Sequence, residues 1–156
     1  WNSELIWGYT GTRVRVMQAQ ALPRGLYYNG TISNNGNASV SVRMAELFYT
    51  KNGVPIDEDV TWDYAGRFGV EKVPESDYAL MKSGYETVKF NLDREYRFYA
   101  DLCFDGNVWY GQGKVDESNP TYCQSKNKQV CANVATTNFN LTGIWPKKYV
   151  NKSRKD

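Results

Sequence analysis

The chain has 156 residues, a net charge of +2 and 41% hydrophobic residues, with 12 Tyr, 5 Trp and 6 Phe, which is enough for one domain with its own core. It contains no histidine, which excludes Ser-His-Asp and Cys-His catalysis, His-based zinc sites and the usual neutral-pH general base. No apolar run approaches the roughly 18 residues of a membrane-spanning helix. Outside the segment after Pro146 acids slightly outnumber bases and form no basic stripe with them, which argues against a nucleic-acid partner.

The chain opens on Trp1 rather than Met, which fits a processed leader or a trimmed terminus. Period-two alternation then dominates. Val14 and Val16 alternate with Arg13 and Arg15. Leu26, Tyr28 and Ile32 share one parity, placing Tyr27, Asn29 and Thr31 on the solvent side. After the turn signal Asn34–Asn37, Val40, Val42 and Met44 face inward while Ser39, Ser41 and Arg43 face out. The parity slips at Ala45-Glu46, where Leu47 and Tyr49 take over, and this predicts a bulge. Lys51-Asn52-Gly53 ends the run with a tight turn.

Asp57, Glu58 and Asp59 follow Pro55 as an acidic cluster. Consecutive loop acids without apolar neighbours stay solvated, so carboxylate-only glycoside chemistry is not expected of them. Asp57 and Asp59 at alternate positions could share a calcium ion, but the Gly and distal Glu of an EF-hand loop are missing. No metal or cofactor is expected.

Further on, Tyr96, Phe98, Ala100, Leu102 and Phe104 share the core parity, which turns Cys103 outward. Asp105-Gly106-Asn107 is a turn, and Trp109 falls on the same face as Phe104. Gly111-Gln112-Gly113 lies within a strand pattern and marks close packing, not a phosphate loop. Lys114 to Gln129 is polar and reads as a long loop. A last strand is expected from Val130 to Leu141, with Phe139 and Leu141 inward and Asn140 free.

The count is seven to nine short strands with no helical crossover. It predicts an all-β, antiparallel, immunoglobulin-like β-sandwich over residues 1–145, followed by a basic, frayed tail over 146–156. Cys123 and Cys131 flank QSKNKQV, and a bridge closing that loop would stabilise by about 2–3 kcal/mol. Pairing of Cys103 with either is a competing arrangement, and three buried free thiols is another. Four sequons, at Asn29, Asn37, Asn140 and Asn151, point to an exported glycoprotein. Of the aromatics, Tyr27, Trp62 and Trp145 are the candidate ligand surface.

From Trp62 to Tyr99 the chain carries Tyr64-x-Gly66, Pro74, Asp77-Tyr78-x-Leu80, Gly84, Val88-x-Phe90-Asn91-Leu92-Asp93 and Tyr96 in order. With the strand and Asn-Gly turn of Tyr28–Asn37 and the step at Val54-Pro55, this resembles the non-catalytic β-sandwich N-terminal to the catalytic domain of aspzincin metalloproteases, the deuterolysin and peptidyl-Lys group. The zinc-binding H-E-x-x-H helix of that group is absent, so the resemblance implies a scaffold that covers or docks with another polypeptide and implies no catalysis. The expected function is therefore a non-enzymatic, secreted or surface-exposed β-sandwich acting by protein–protein contact, as accessory or pro-domain, inhibitor-like module or surface effector. The alternative is a glycan- or membrane-binding module using surface Trp and Tyr.

Overall fold

Among the described residues the chain forms short helices and three separate two-stranded antiparallel ladders, where the alternation predicted two stacked sheets. The computed structural model describes residues 14–23, 26, 36–75, 80–109, 121–127, 129–132 and 140–148. Helix α1 (Val14–Ala21) and helix α2 (Val42–Glu46) precede the first ladder, which pairs β1 (Val70–Lys72) with β2 (Glu86–Val88). A 3-10 turn (Lys89–Asn91) and helix α3 (Tyr96–Asp101) follow. Strand β3 (Leu102–Cys103) pairs with β6 (Trp145–Pro146), and β4 (Val108–Trp109) with β5 (Thr121–Tyr122). An immunoglobulin-like sandwich is thus ruled out.

The two central helices show why the alternation misled. Ser41 is extended (φ −67°, ψ 146°), and its Oγ accepts a hydrogen bond from the Met44 N–H at 3.1 Å, an N-cap that turns the chain into α2. Once helical, the segment buries Ala45 and leaves Met44 58% exposed, the reverse of the strand assignment. In α3, Phe98 and Tyr99 are buried while Tyr96 is 81% exposed. Helices of five or six residues are too short to stand alone. Tertiary contacts hold them: Glu95 at the start of α3 exchanges backbone and side-chain hydrogen bonds with Tyr49.

Two apolar clusters share the interior. In the first, Phe98 touches Phe104, Tyr99, Phe48 and Phe90, with ring centroids 4.9, 5.5, 5.7 and 6.1 Å away. The second gathers Leu22, Leu26, Trp109, Trp145 and the three cysteines. Strand β3 lies between them, with Leu102 in the first cluster and Cys103 in the second. The alternation of β3 is therefore real, but both of its faces are interior, which corrects the outward placement of Cys103. Gly106 (φ 86°) makes the turn ahead of β4, and a Cβ there would come within 2.9 Å of the Tyr85 ring.

The expected Cys123–Cys131 bridge is not formed: Cys103, Cys123 and Cys131 are all free, buried thiols. The Cys123 thiol lies within hydrogen-bonding reach of Cys103 and Cys131, and these contacts together with burial push its pKa well up. The intervening loop is closed by other means. Cys131 N–H donates to the Gln124 carbonyl, and Lys126 N–H to Gln129 Oε1.

The expected last strand is a 3-10 turn at Val130–Ala132 and an Asn-led turn at residues 140–143, with Leu141 exposed and Phe139 outside the described residues. Beyond it, Pro146 pairs opposite Leu102, and Lys147 is tied down. Its ammonium donates to the Tyr99 carbonyl (3.2 Å), Asn107 Oδ1 (2.9 Å) and the Val108 carbonyl (2.9 Å).

Candidate functional site

An open cleft of about 450 Å³ lies over the first cluster, within the size range of small-molecule sites. Its floor is Phe90, Phe104 and Ile144, all buried. One wall is Phe68 and Val70, which stay 58% and 65% exposed although both are apolar. The opposite side is polar and comes from Asp105, Ser125 and Lys126.

Local backbone bonds set the position of Phe68. The Asp63 carboxylate accepts from the Gly66 N–H (2.8 Å), and the Gly69 N–H returns to the Gly66 carbonyl (2.8 Å). Phe90 N–H then donates to the Arg67 carbonyl and Lys89 N–H to that of Gly69, at 2.7 and 2.8 Å. These bonds hold the Phe68 ring against Phe90, with centroids 6.1 Å apart and planes 25° from parallel. Arg67 lies 4.5 Å from the Phe68 ring centre and 3.9 Å from that of Tyr64.

The polar side is a connected network. Asp105 Oδ1 accepts from the Tyr85 hydroxyl (3.0 Å) and the Ser125 N–H (2.8 Å). Burial pushes the Asp105 pKa upward, against those bonds and the nearby Lys126. Thr87 donates to the Asp105 carbonyl (2.7 Å), and Asn91 Nδ2 to Thr87 Oγ1 (3.0 Å). The Lys126 ammonium sits 4.5 Å from the Tyr85 ring centre.

An apolar floor, an exposed aromatic lip and a few fixed polar groups suit a ligand with one apolar face and several hydroxyls. Among the described lining residues Asp105 is the sole carboxylate, whereas glycoside hydrolysis requires two. Among the described lining residues there is thus no pair of carboxylates.

The residues expected from sequence lie elsewhere. Trp145 is 2% exposed, and its Nε1 donates to the Gly36 carbonyl (2.7 Å) inside the second cluster. Trp62 is half-buried against the first cluster, donating to the Leu92 carbonyl (3.2 Å). The two are not brought together, and Tyr27, Asn29 and Asn151 lie outside the described residues. Asn37 is exposed. Asn140 gives its amide hydrogens to the Ala38 and Ile144 carbonyls at 3.0 and 2.9 Å, while its Oδ1 accepts from the Thr142 and Gly143 N–H groups. The alternation does not single out Phe68, Asp105 or Lys126 as ligand-binding residues. The spacing in Arg67-Phe68-Gly69, with an aromatic beside a close-packed glycine, is the local signal available.

Of the acidic cluster, Asp57 and Glu58 are exposed and Asp59 is structural. Its carboxylate accepts from Thr50 Oγ1 (2.6 Å), Asn52 Nδ2 (3.0 Å) and the Thr61 N–H and hydroxyl (2.9 and 2.7 Å). The Thr50 bond, then those to Thr61 and Asn52, hold its pKa well below the ordinary carboxylate range. A pKa depressed by folding adds stability that is present above the unfolded value near 4 and lost as pH falls from there toward the folded value. Asp59→Asn is therefore expected to melt lower than the parent at pH 7, with the gap closing below about pH 3. Thermal melts across that range check it; a gap that stays constant with pH would contradict the assignment.

Among the described residues the cleft thus combines an aromatic lip, an apolar floor and a polar side. Solved structures similar to this chain include two forms of one protein. BT4246 superposes with a TM-score of 0.66 at 19% identity, covering 86% of this chain and 22% of that one. Selenomethionine BT4246 gives 0.59 at 20% identity, covering 97% and 24%. The chain thus spans about a quarter of the length of either. No curated protein matches it. The SusD family profile matches residues 3–156, and the chain belongs to the SusD family. Proteins of this family are largely helical, non-catalytic glycan-binding proteins of the cell surface. The aspzincin resemblance is thereby overturned: it rested on turns and short strands that many folds use, whereas the SusD match runs nearly the whole chain.

Proposed function

We propose that this chain is part of a SusD-like, non-catalytic glycan-binding lipoprotein at the outer-membrane surface, of the starch-utilization type, working beside a SusC-like TonB-dependent transporter. The observation that carries the reading is the SusD family match over residues 3–156. The fold likeness to BT4246 and the aromatic-lipped cleft support it. This replaces the accessory, inhibitor-like or effector role expected from the sequence, and it favours the glycan side of the alternative. Affinity electrophoresis of the full chain through gels cast with soluble polysaccharides tests it. Retardation by at least one polysaccharide, with no release of reducing sugar, is expected; uniform mobility through every gel would sink the reading.

A further inference from the structure

We propose that the Phe68 cleft is a glycan subsite built for a neutral sugar ring, in preference to a uronate or sulfated one. The proposal rests on the glycan-binding reading above and adds to it both a location and a ligand class.

Location comes from the lip. Phe68 is 58% exposed, yet its backbone is pinned at Arg67 and Gly69 to the 3-10 turn below and its ring stacks on Phe90. A ring held in place offers stacking area at little cost in conformational entropy. The apolar C–H face of a pyranose fits such a ring, while its hydroxyls need donors and acceptors at the edges. Asp105 and Ser125 supply these across the cleft, and Thr142 lies at its end.

Ligand class comes from charge. Among the described lining residues the charged side chains are Asp105 and Lys126, one of each sign. Anionic glycans are held by clustered Arg and Lys, with bidentate Arg especially suited to carboxylate and sulfate. Arg67 is the nearest guanidinium to Phe68, but it is already engaged. Its Nη1 donates to the Tyr64 carbonyl (2.7 Å), its Nε lies 3.4 Å from Glu46, and its plane covers Tyr64. Lys126 rests on the Tyr85 ring beside Asp105, whose ionised form would repel an anionic sugar. With one charge of each sign and no clustered cations among its described lining residues, the cleft lacks the usual grip for an anionic sugar and offers hydroxyl recognition as its polar chemistry.

Isothermal titration of the full chain with maltoheptaose, xylohexaose and mannohexaose, and separately with hexagalacturonate and a chondroitin sulfate hexasaccharide, tests both parts. At least one neutral probe is expected to bind and the two anionic ones are not. Phe68→Ala should weaken the neutral probe at least tenfold, and Val70→Ser several-fold, with melting temperatures within a few degrees of the parent. Neutral binding that survives both substitutions would overturn the location while leaving the glycan reading intact. Anionic binding abolished by Phe68→Ala would keep the location and overturn the ligand class. A large fall in melting temperature for both variants, without loss of affinity, would make this wall a packing surface and remove the subsite. Silence from all five probes in a protein that polysaccharide gels still retard counts against the cleft; silence in both assays counts against the family-based function itself.

Discussion

Arg94→Leu is expected to lower the unfolding free energy by about 4 kcal/mol or more, a large share of the roughly 5–15 kcal/mol available to a domain. Arg94 is 3% exposed and acts as a hub. Its Nη1 donates to the Phe90 carbonyl (2.9 Å), and its Nη2 to those of Ala45 and Phe48 (both 2.8 Å), with Nε 3.4 Å from the Tyr49 carbonyl. These acceptors include Ala45, in the last turn of α2, and residues just beyond that helix, where carbonyls lack helical partners and a cation is favoured. The guanidinium also lies 4.2 Å from the Phe98 ring centre and 4.8 Å from that of Phe90. Burial pulls its pKa down to about 10, so it stays charged at neutral pH. A leucine takes the donor from the Phe90, Ala45 and Phe48 carbonyls, each at a cost of about 1–3 kcal/mol, while the Tyr49 carbonyl keeps the Glu95 N–H. Lysine should rescue little, because one ammonium cannot reach carbonyls spread around a planar fork. Urea denaturation of the three proteins checks this; a leucine variant within about 1 kcal/mol of the parent would show that the hub is dispensable.

Phe98→Ala should cost about 3–5 kcal/mol. Phe98 is fully buried and touches four other aromatic rings. Two of those, Phe90 and Phe104, are the cleft floor, so truncation is also expected to weaken whatever the cleft binds. Because Phe98 and Arg94 are in contact, the double variant should lose less than the two single losses added together. A double-mutant cycle measures that coupling, and strict additivity would mean the ring and the guanidinium act independently. Phe98→Leu, which keeps most of the volume, should recover more than half of the loss.

Much of the local chemistry is legible in the residues themselves. The turn residues Gly36, Gly53 and Gly106 all have positive φ, as their Asn-Gly and Asp-Gly settings require. Of the five residues given the core parity, Phe98, Leu102 and Phe104 are interior, while Tyr96 and Ala100 are exposed because that part of the run is helical. The histidine-free chain reads as non-enzymatic, in agreement with its family. The element types are not legible, for a definable reason. Over five or six residues a helix and a strand both place positions i and i+4 on one side, so Val42–Glu46 and Tyr96–Asp101 satisfy either period. What separates them is the Ser41 cap and the long-range grip of Arg94, and the second of these acts across 46 residues of chain to Phe48.

The expected placement of Trp145 on the surface fails for a related reason. Trp145 has the composition of a ligand platform and is interior because the second cluster closes over β6, a contact that sequence spacing does not encode. The cleft itself is assembled from Phe68, Phe104, Lys126 and Ile144, which four separate segments bring together.

By itself the sequence determined the chain's chemical repertoire and its turns, because a missing histidine and an Asn-Gly step act through residue identity and local backbone preference alone. Tertiary structure decided which short segments became helices, which side of β3 met which cluster, and where an aromatic ring stayed exposed beside polar groups. Those outcomes depend on burial and on hydrogen bonds between residues far apart in the chain, and a short hydrophobic pattern is equally compatible with more than one of them.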